Sequence, residues 1–157
     1  MPSRSTRAEA LRVGLVSDTH DLLRPEVLAY LRGSDHIIHA GDLCSAGVLE
    51  ALAQLAPLTA VRGNNDRGDW AQRLAEAESV EIGGIAIHVV HDLKDLDLRV
   101  GVRVVVCGHS HRPGIEEREG VLYVNPGSAG PRRFRLPISA AELRIAGGQL
   151  HAQHQTF

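Results

Sequence analysis

Three times before Arg67 the chain runs a short apolar segment into a polar loop: Arg12 to Ser17 into Asp18-Thr19-His20, His36 to Ala40 into Gly41-Asp42, and Leu58 to Val61 into Gly63-Asn64-Asn65-Asp66. Helical spacing fills the gaps. Pro25 suits the first turn of a helix reaching about Arg32, with Val27, Leu28 and Leu31 on one face and Gly33 as its stop. Ser45 can cap a second helix, whose Val48, Leu49, Leu52 and Leu55 recur until Pro57. Strands separated by helices of this kind are parallel neighbours, because parallel pairing needs a long crossover. Their carboxyl ends then lie along one edge, where open α/β sheets bind ligands.

The second half changes period. After a helical stretch near Trp70 to Ala75, Val80 to Ile82 and Ile85 to Val90 read as a hairpin about Gly83-Gly84. Val102 to Cys107 and Val121 to Val124 are further apolar strands, and Ala141 to Ile145 with Gln149 onward makes a terminal hairpin around Gly147-Gly148. The expected fold is α/β, two packed mixed β-sheets flanked by helices. A length of 157 residues suits one core. We therefore expect a single domain over residues 12–157, behind a short disordered leader at residues 1–11 that is rich in Ser, Arg and Ala.

That leader has no apolar stretch suited to a signal peptide or membrane span. Cys44 and Cys107 fit neither a zinc ribbon nor a disulfide framework, so the expected compartment is cytoplasmic. A net charge of -2 gives no bulk attraction to nucleic acid or an anionic membrane, and five aromatic residues offer few platforms for base stacking.

Two more strand-end loops, His91-Asp92 and Gly108-His109-Ser110-His111, complete a set of five. Together they present oxygens from Asp18, Asp42 and Asn64 and imidazoles from His20, His91, His109 and His111, with no thiolate. Such donors suit Mn²⁺, Fe or Zn²⁺. Seven side chains exceed what one ion needs. With one carboxylate shared they supply four bonds to each of two ions, and a shared hydroxide raises each to five. Two ions about 3.5–4 Å apart are the arrangement used for phosphoester hydrolysis. Two carboxylates offset only half the charge of such a pair, leaving room for hydroxide and an anionic phosphate.

At these residues the sequence resembles the calcineurin-like metallophosphoesterase superfamily, whose blocks run D-x-H, G-D, G-N-x-D, a lone His after a strand, and G-H-x-H. The likeness spans about Val13 to Arg133. The short length and Asn125-Pro126-Gly127-Ser128 are similar to its small prokaryotic phosphodiesterase branch. The resemblance implies an α-β-β-α sandwich and a phosphodiesterase acting on a small phosphodiester through a metal-bridging hydroxide. It implies Asp18, His20 and His111 on one ion, Asn64, His91 and His109 on the other, and Asp42 as the bridge. Manganese is the first expectation, with Ni, Fe or Zn as alternatives, and a homo-oligomer is compatible with the family.

Asp42, Asn64 and Asn65 are the candidate catalytic residues, and Asn65, Arg132 and Arg133 the candidate substrate contacts, since a guanidinium can hold a phosphate bidentately. Two departures stand out. Asn65 replaces the histidine that assists the leaving group in many members, and Asp92 stands where glycine is common. An amide cannot give up a proton near neutral pH. The competing readings are a phosphomonoesterase and a catalytically weak binding scaffold, as in the retromer subunit that resembles this family. Asp66 and Asn125 are read as supporting residues; His39 and Cys44 as packing groups near the site.

Overall fold

In the computed structural model, residues 10–157 are described. The leader expected at residues 1–11 lies outside them except for Ala10, which is exposed, and Leu11, which opens the first strand. The elements in chain order are β1 (Leu11–Val16), α1 (Pro25–Leu31), β2 (His36–His39), α2 (Ala46–Ala53), β3 (Leu58–Ala60), α3 (Asp69–Gln72), β4 (Ala77–Ile82), β5 (Ile85–Val90), β6 (Val104–Val106), β7 (Gly114–Arg118), β8 (Val121–Asn125), β9 (Ser139–Ala146) and β10 (Gln149–Thr156).

They build two mixed five-stranded sheets, ordered β10-β9-β1-β2-β3 and β4-β5-β6-β8-β7. β1, β2 and β3 are parallel, as their helical crossovers require, and β9-β10 closes the sheet antiparallel against β1. In the second sheet β5, β6 and β8 are parallel between antiparallel edges. This is the α/β architecture of two mixed sheets and helices that the sequence predicts.

Strand side chains alternate between faces, so each apolar run feeds two layers. Val13, Leu15 and Ile38 join Leu143 and Ile145 between the sheets, against Ile85, Ile87, Val89, Val104 and Val106. Val16 and Ile37 face the other way, under Val27 and Leu31 of α1 and Val48 and Leu52 of α2. Burying each such side chain contributes about 1.5–3 kcal/mol. Ser45 caps α2 as its sequence predicts, its hydroxyl accepting from the Val48 N–H at 3.3 Å. On the outer face of the second sheet Val90, Val105 and Cys107 pack under Leu96 and Val102. No helix of the described residues is long and apolar enough to cross a membrane.

One strand has no counterpart in the sequence reading. β7, Gly-Ile-Glu-Glu-Arg, is exposed at every position and pairs only with β8 at the sheet edge. Its charges protect that edge from pairing with another chain, and for the same reason it lacks the apolar alternation that marks a strand. β4 begins at Ala77, earlier than Val80, again through exposed residues.

Candidate metal centre

The five ligand-bearing loops leave the carboxyl ends of β1, β2, β3, β5 and β6, the five strands whose helical or long crossovers make them parallel. Backbone bonds then zip neighbouring loops together. Asp18 and His20 donate their N–H groups to Gly41 and Asp42 carbonyls at 3.0 Å, and Gly108 donates to the His91 carbonyl at 3.0 Å. Gly63 must lack a side chain, because a Cβ there would stand 2.2 Å from Asp42 Oδ1. Five of the seven candidate ligands hold the left-handed conformation: Asp18, His20, Asp42, His109 and His111, with φ between 46° and 73°. Strain of that kind costs about 1–3 kcal/mol per residue and persists where the surroundings over-determine it.

All seven candidate ligands converge. One ligand atom from each of Asp18, His20 and His111 lies within 4.8 Å of the other two, and Asp18, Asp42 and His91 form a second such group. Asp42 Oδ2 is 3.5 Å from His20 Nε2 and 3.3 Å from His91 Nε2. Asn64 Oδ1 lies 3.0 Å from His91 Nε2 and 3.2 Å from His109 Nδ1. These are two groups of side chains able to hold metal ions, overlapping at Asp18.

The polar accounting of the site fits cations. Among buried side-chain atoms of the described residues, Asp18 Oδ1, His20 Nε2 and His111 Nδ1 have no hydrogen-bond partner. Unpaired buried polar atoms are costly and few in native proteins. The other atoms of the same groups are committed: Asp18 Oδ2 accepts from the Ser17 hydroxyl at 2.8 Å and the His109 N–H at 3.1 Å. His91 Nδ1 donates to the Ala40 carbonyl at 2.7 Å, which leaves Nε2 aimed at the oxygens of Asn64 and Asp42.

Burial, with the charge of Asp42 adding to it, pushes the Asp18 carboxyl up to about 6. Burial, with Arg133 and His20, pushes His111 down to about 4. Burial also lowers His20, against the pull of Asp42. Burial works to raise Asp42, but bonds from His91 and Asn65 overcome it and hold the carboxyl well below its usual range. Burial works to lower His91 as well, but its bond to Asp42 and the charge of Asp18 overcome it and raise the imidazole; a cation must displace that proton, whereas His20 and His111 already stand neutral as metal ligands require.

Supporting groups are more developed than the sequence suggested. Asp66 accepts backbone N–H bonds from Asp42 (2.9 Å), Gly63 (2.8 Å) and Cys44 (2.7 Å), locking two ligand loops together. Asn125 donates to the Gly108 carbonyl and Ser110 hydroxyl and accepts from the Gly127 N–H, bracing the His109 loop. His39 does more than pack. Its Nδ1 accepts from the Gly41 N–H at 3.0 Å, so Nε2 is the protonated nitrogen facing Thr19 Oγ1 at 3.0 Å, and the ring ties the β1 and β2 loops. The Cys44 thiol lies 3.6 Å from His20 Nδ1 and stays protonated, burial and nearby carboxylates pushing it up to about 11.

Asn65 is exposed, and its amide donates to Asp42 Oδ2 at 3.0 Å and its backbone N–H to Oδ1 at 2.9 Å. Asp92 caps the turn after β5 through the Lys94 N–H, and its other oxygen is 3.6 Å from His109 Nε2. Arg133 is exposed and its charge reaches His20 and His111; Arg132 is exposed with no ion pair among the described residues. Beside Asn64, His91 and His109 opens a cleft of about 570 Å³ whose cations are Arg62 and Lys94. Sequence reasoning missed both; Arg62 carried a signal in directly preceding Gly63-Asn64, whereas Lys94 sits in a charged loop with none.

Comparison with known proteins agrees with this geometry. A family model described as the calcineurin-like phosphoesterase superfamily domain matches residues 11–148. A probable metallophosphoesterase from Methanothermobacter thermautotrophicus is 39% identical over 155 residues, covering 90% of each chain. A protein named as a phosphodiesterase from Methanocaldococcus jannaschii is 30% identical over 139 residues, 74% of this chain and 83% of its own. The solved structure of an archaeal phosphodiesterase superimposes with a TM-score of 0.79 at 24% identity, over 94% of this chain and all of that one.

Proposed function

Because the chain belongs to the calcineurin-like phosphoesterase superfamily, we propose that it is a dimetal phosphodiesterase that hydrolyses a small phosphodiester. The observation that carries the reading is the set of buried, unpartnered atoms on Asp18, His20 and His111 at the carboxyl ends of parallel strands. Asp18, His20 and His111 would hold one ion and Asn64, His91 and His109 the other. Asp42 is assigned as the shared ligand, since its Oδ2 stands between His20 and His91, one imidazole of each group. Bound there, two divalent cations supply Lewis acidity to the phosphoryl oxygens and acidify water for attack at phosphorus.

The chain's own groups set the rest. Ser17, the His109 N–H and Asn65 fix the carboxylates, Ala40 fixes the His91 tautomer, and Arg133 extends positive charge towards an anionic substrate. Asn65, bonded to Asp42 and unable to donate a proton catalytically, favours diesters with good leaving groups over monoesters that need an acid. The name of the Methanocaldococcus jannaschii relative supports a diester substrate. The mixed oxygen and imidazole donors favour manganese, and two unpaired cysteines favour a cytoplasmic setting.

The test is metal uptake by chelator-stripped protein, followed by rates on bis-p-nitrophenyl phosphate and p-nitrophenyl phosphate under Mn²⁺, Ni²⁺, Zn²⁺ and Mg²⁺. Two ions per chain and preference for the diester are expected. Saturation at one ion overturns the dimetal assignment, and faster turnover of the monoester overturns the diester assignment.

A further inference from the structure

The loop between Gly127 and Ile138 buries Ala129 in the core at its root, but its outer stretch, Pro131 to Arg135, is exposed throughout. It carries Arg132, Arg133, Phe134 and Arg135, and no acidic residue. Arg112, directly after His111, lines a groove of about 720 Å³ with Phe134, Arg135 and Leu136. None of these four arginines forms an ion pair among the described residues; Arg24, Arg32, Arg67, Arg73 and Arg103 are likewise unpaired there, so what sets the four apart is their grouping about one exposed aromatic side chain.

Phe134 is 86% exposed, while the other four aromatics are half-buried. It also has φ of 57°, at the second position of a turn closed by the Leu136 N–H on the Arg133 carbonyl at 3.1 Å. That position favours glycine, asparagine or aspartate, and a bulky residue there is a backbone outlier. Phenylalanine at this corner therefore costs folding free energy twice, once in backbone strain and once in apolar surface left in water, and gains no packing.

The loop is nevertheless fixed to the metal centre at its root. Ala129 donates to the Ser17 carbonyl at 3.1 Å, and the Ser128 hydroxyl donates to the Asp18 carbonyl at 3.1 Å. Gly130 lies so close to the Asp18-Thr19 backbone that a Cβ would meet the Thr19 carbonyl at 2.0 Å, and Arg24 clamps the Gly130 carbonyl. An exposed aromatic side chain thus shares a groove with Arg112, the residue after His111, and stands on a loop whose root is bonded to the Asp18 carbonyl. Aromatic faces stack bases irrespective of sequence, and guanidinium groups hold the phosphates between them.

We propose that Phe134 is a base-stacking platform, with Arg112 and Arg135 on its flank, so that the phosphodiester presented to the metal centre carries a nucleobase. The inference rests on the phosphodiesterase reading and narrows it to nucleotide diesters. One platform holds one base, which is compatible with a net charge of -2 that gives no bulk attraction to a polyanion.

The test is calorimetric binding to Mn²⁺-loaded protein of dithymidine joined by a slowly hydrolysed phosphorothioate, with dimethyl phosphate as the base-free reference. Wild type binds the dinucleotide at least about fivefold more tightly than the reference, the low end of what one stacked base contributes. Phe134→Ala collapses that ratio towards one and Phe134→Trp restores it. Equal binding of the two ligands by wild type, or a ratio unmoved in Phe134→Ala, overturns the proposal. Retained stacking selectivity without hydrolysis of any diester would sink the enzymatic reading and leave the nucleotide subsite standing.

Discussion

Asp66 offers a measurement of how far the site depends on groups that never touch an ion. Its two carboxylate oxygens accept three backbone N–H bonds, from Asp42 and Gly63 on one oxygen and Cys44 on the other, and the residue is only 5% exposed. Asp66→Asn keeps size and shape but leaves one acceptor oxygen. The amide turns to satisfy Asp42 and Gly63, so its NH₂ confronts the Cys44 N–H and that bond is lost. A hydrogen bond to a charged acceptor contributes about 1.5–3 kcal/mol. For a chain this long, about 2–4 °C of melting temperature follows each kcal/mol, so a drop of about 3–12 °C is expected. The assay is thermal unfolding by circular dichroism in excess chelator, which removes any contribution from bound ions. A variant melting within about 1 °C of wild type would refute the claim that Asp66 clamps the two loops.

Asp42→Asn should weaken both ions and lower turnover of an activated diester by at least about 100-fold, read as kcat with metal content measured in parallel; unchanged turnover removes Asp42 from the shared position. His39 is buried and neutral, burial, aided by His91 and His20 against Asp42, pushing its pKa down to about 3. Between pH 6.5 and 3 the unfolded chain holds a proton there that the folded one does not, so stability falls by about 1.4 kcal/mol per unit as pH drops. His39→Leu should flatten that decline while costing about 1–3 kcal/mol at pH 7 for the stranded Gly41 N–H, both read from urea unfolding across pH. Glu142 bonds Arg12 and Arg144, each at 2.7 Å, and although burial works to raise its pKa these partners lower it. That stabilisation is present above about pH 4.5 and lost as pH falls through the lowered value. Glu142→Gln should therefore cost about 1.5–3 kcal/mol at neutral pH and less in acid.

The parallel half of the fold was legible because each apolar strand runs into a candidate ligand: Asp18, Asp42, Asn64, His91 and His109 follow the strand ends in order. β7 was not, since an edge strand of exposed Glu and Arg obeys no burial pattern. That seven candidate ligands would meet at one sheet edge followed from their places at strand ends and from the family resemblance, whereas the groups that hold them did not. Asp66 and His39 act through backbone N–H groups, and nothing in the identity of a residue reveals which distant amide it will meet. The cleft cations Arg62 and Lys94 come from segments 32 positions apart and become neighbours through the pairing of the β4-β5 hairpin beside β3. The bond from the Asn65 amide to Asp42 was not legible either, because it depends on the residue's own backbone N–H pinning the carboxylate that the amide then reaches.

The candidate ligands are divided between the sheets: Asp18, His20, Asp42 and Asn64 rise from the first, His91, His109 and His111 from the second. Apolar contact between two layers resists separation but has no preferred direction, and so tolerates small sliding movements. Cations spanning both edges would act as a rivet, turning a slippery seam into a jointed one. Stripping them should quicken amide exchange in β1 and β5 together while the helical side stays protected, making the stiffness of the whole sandwich a quantity set by metal supply.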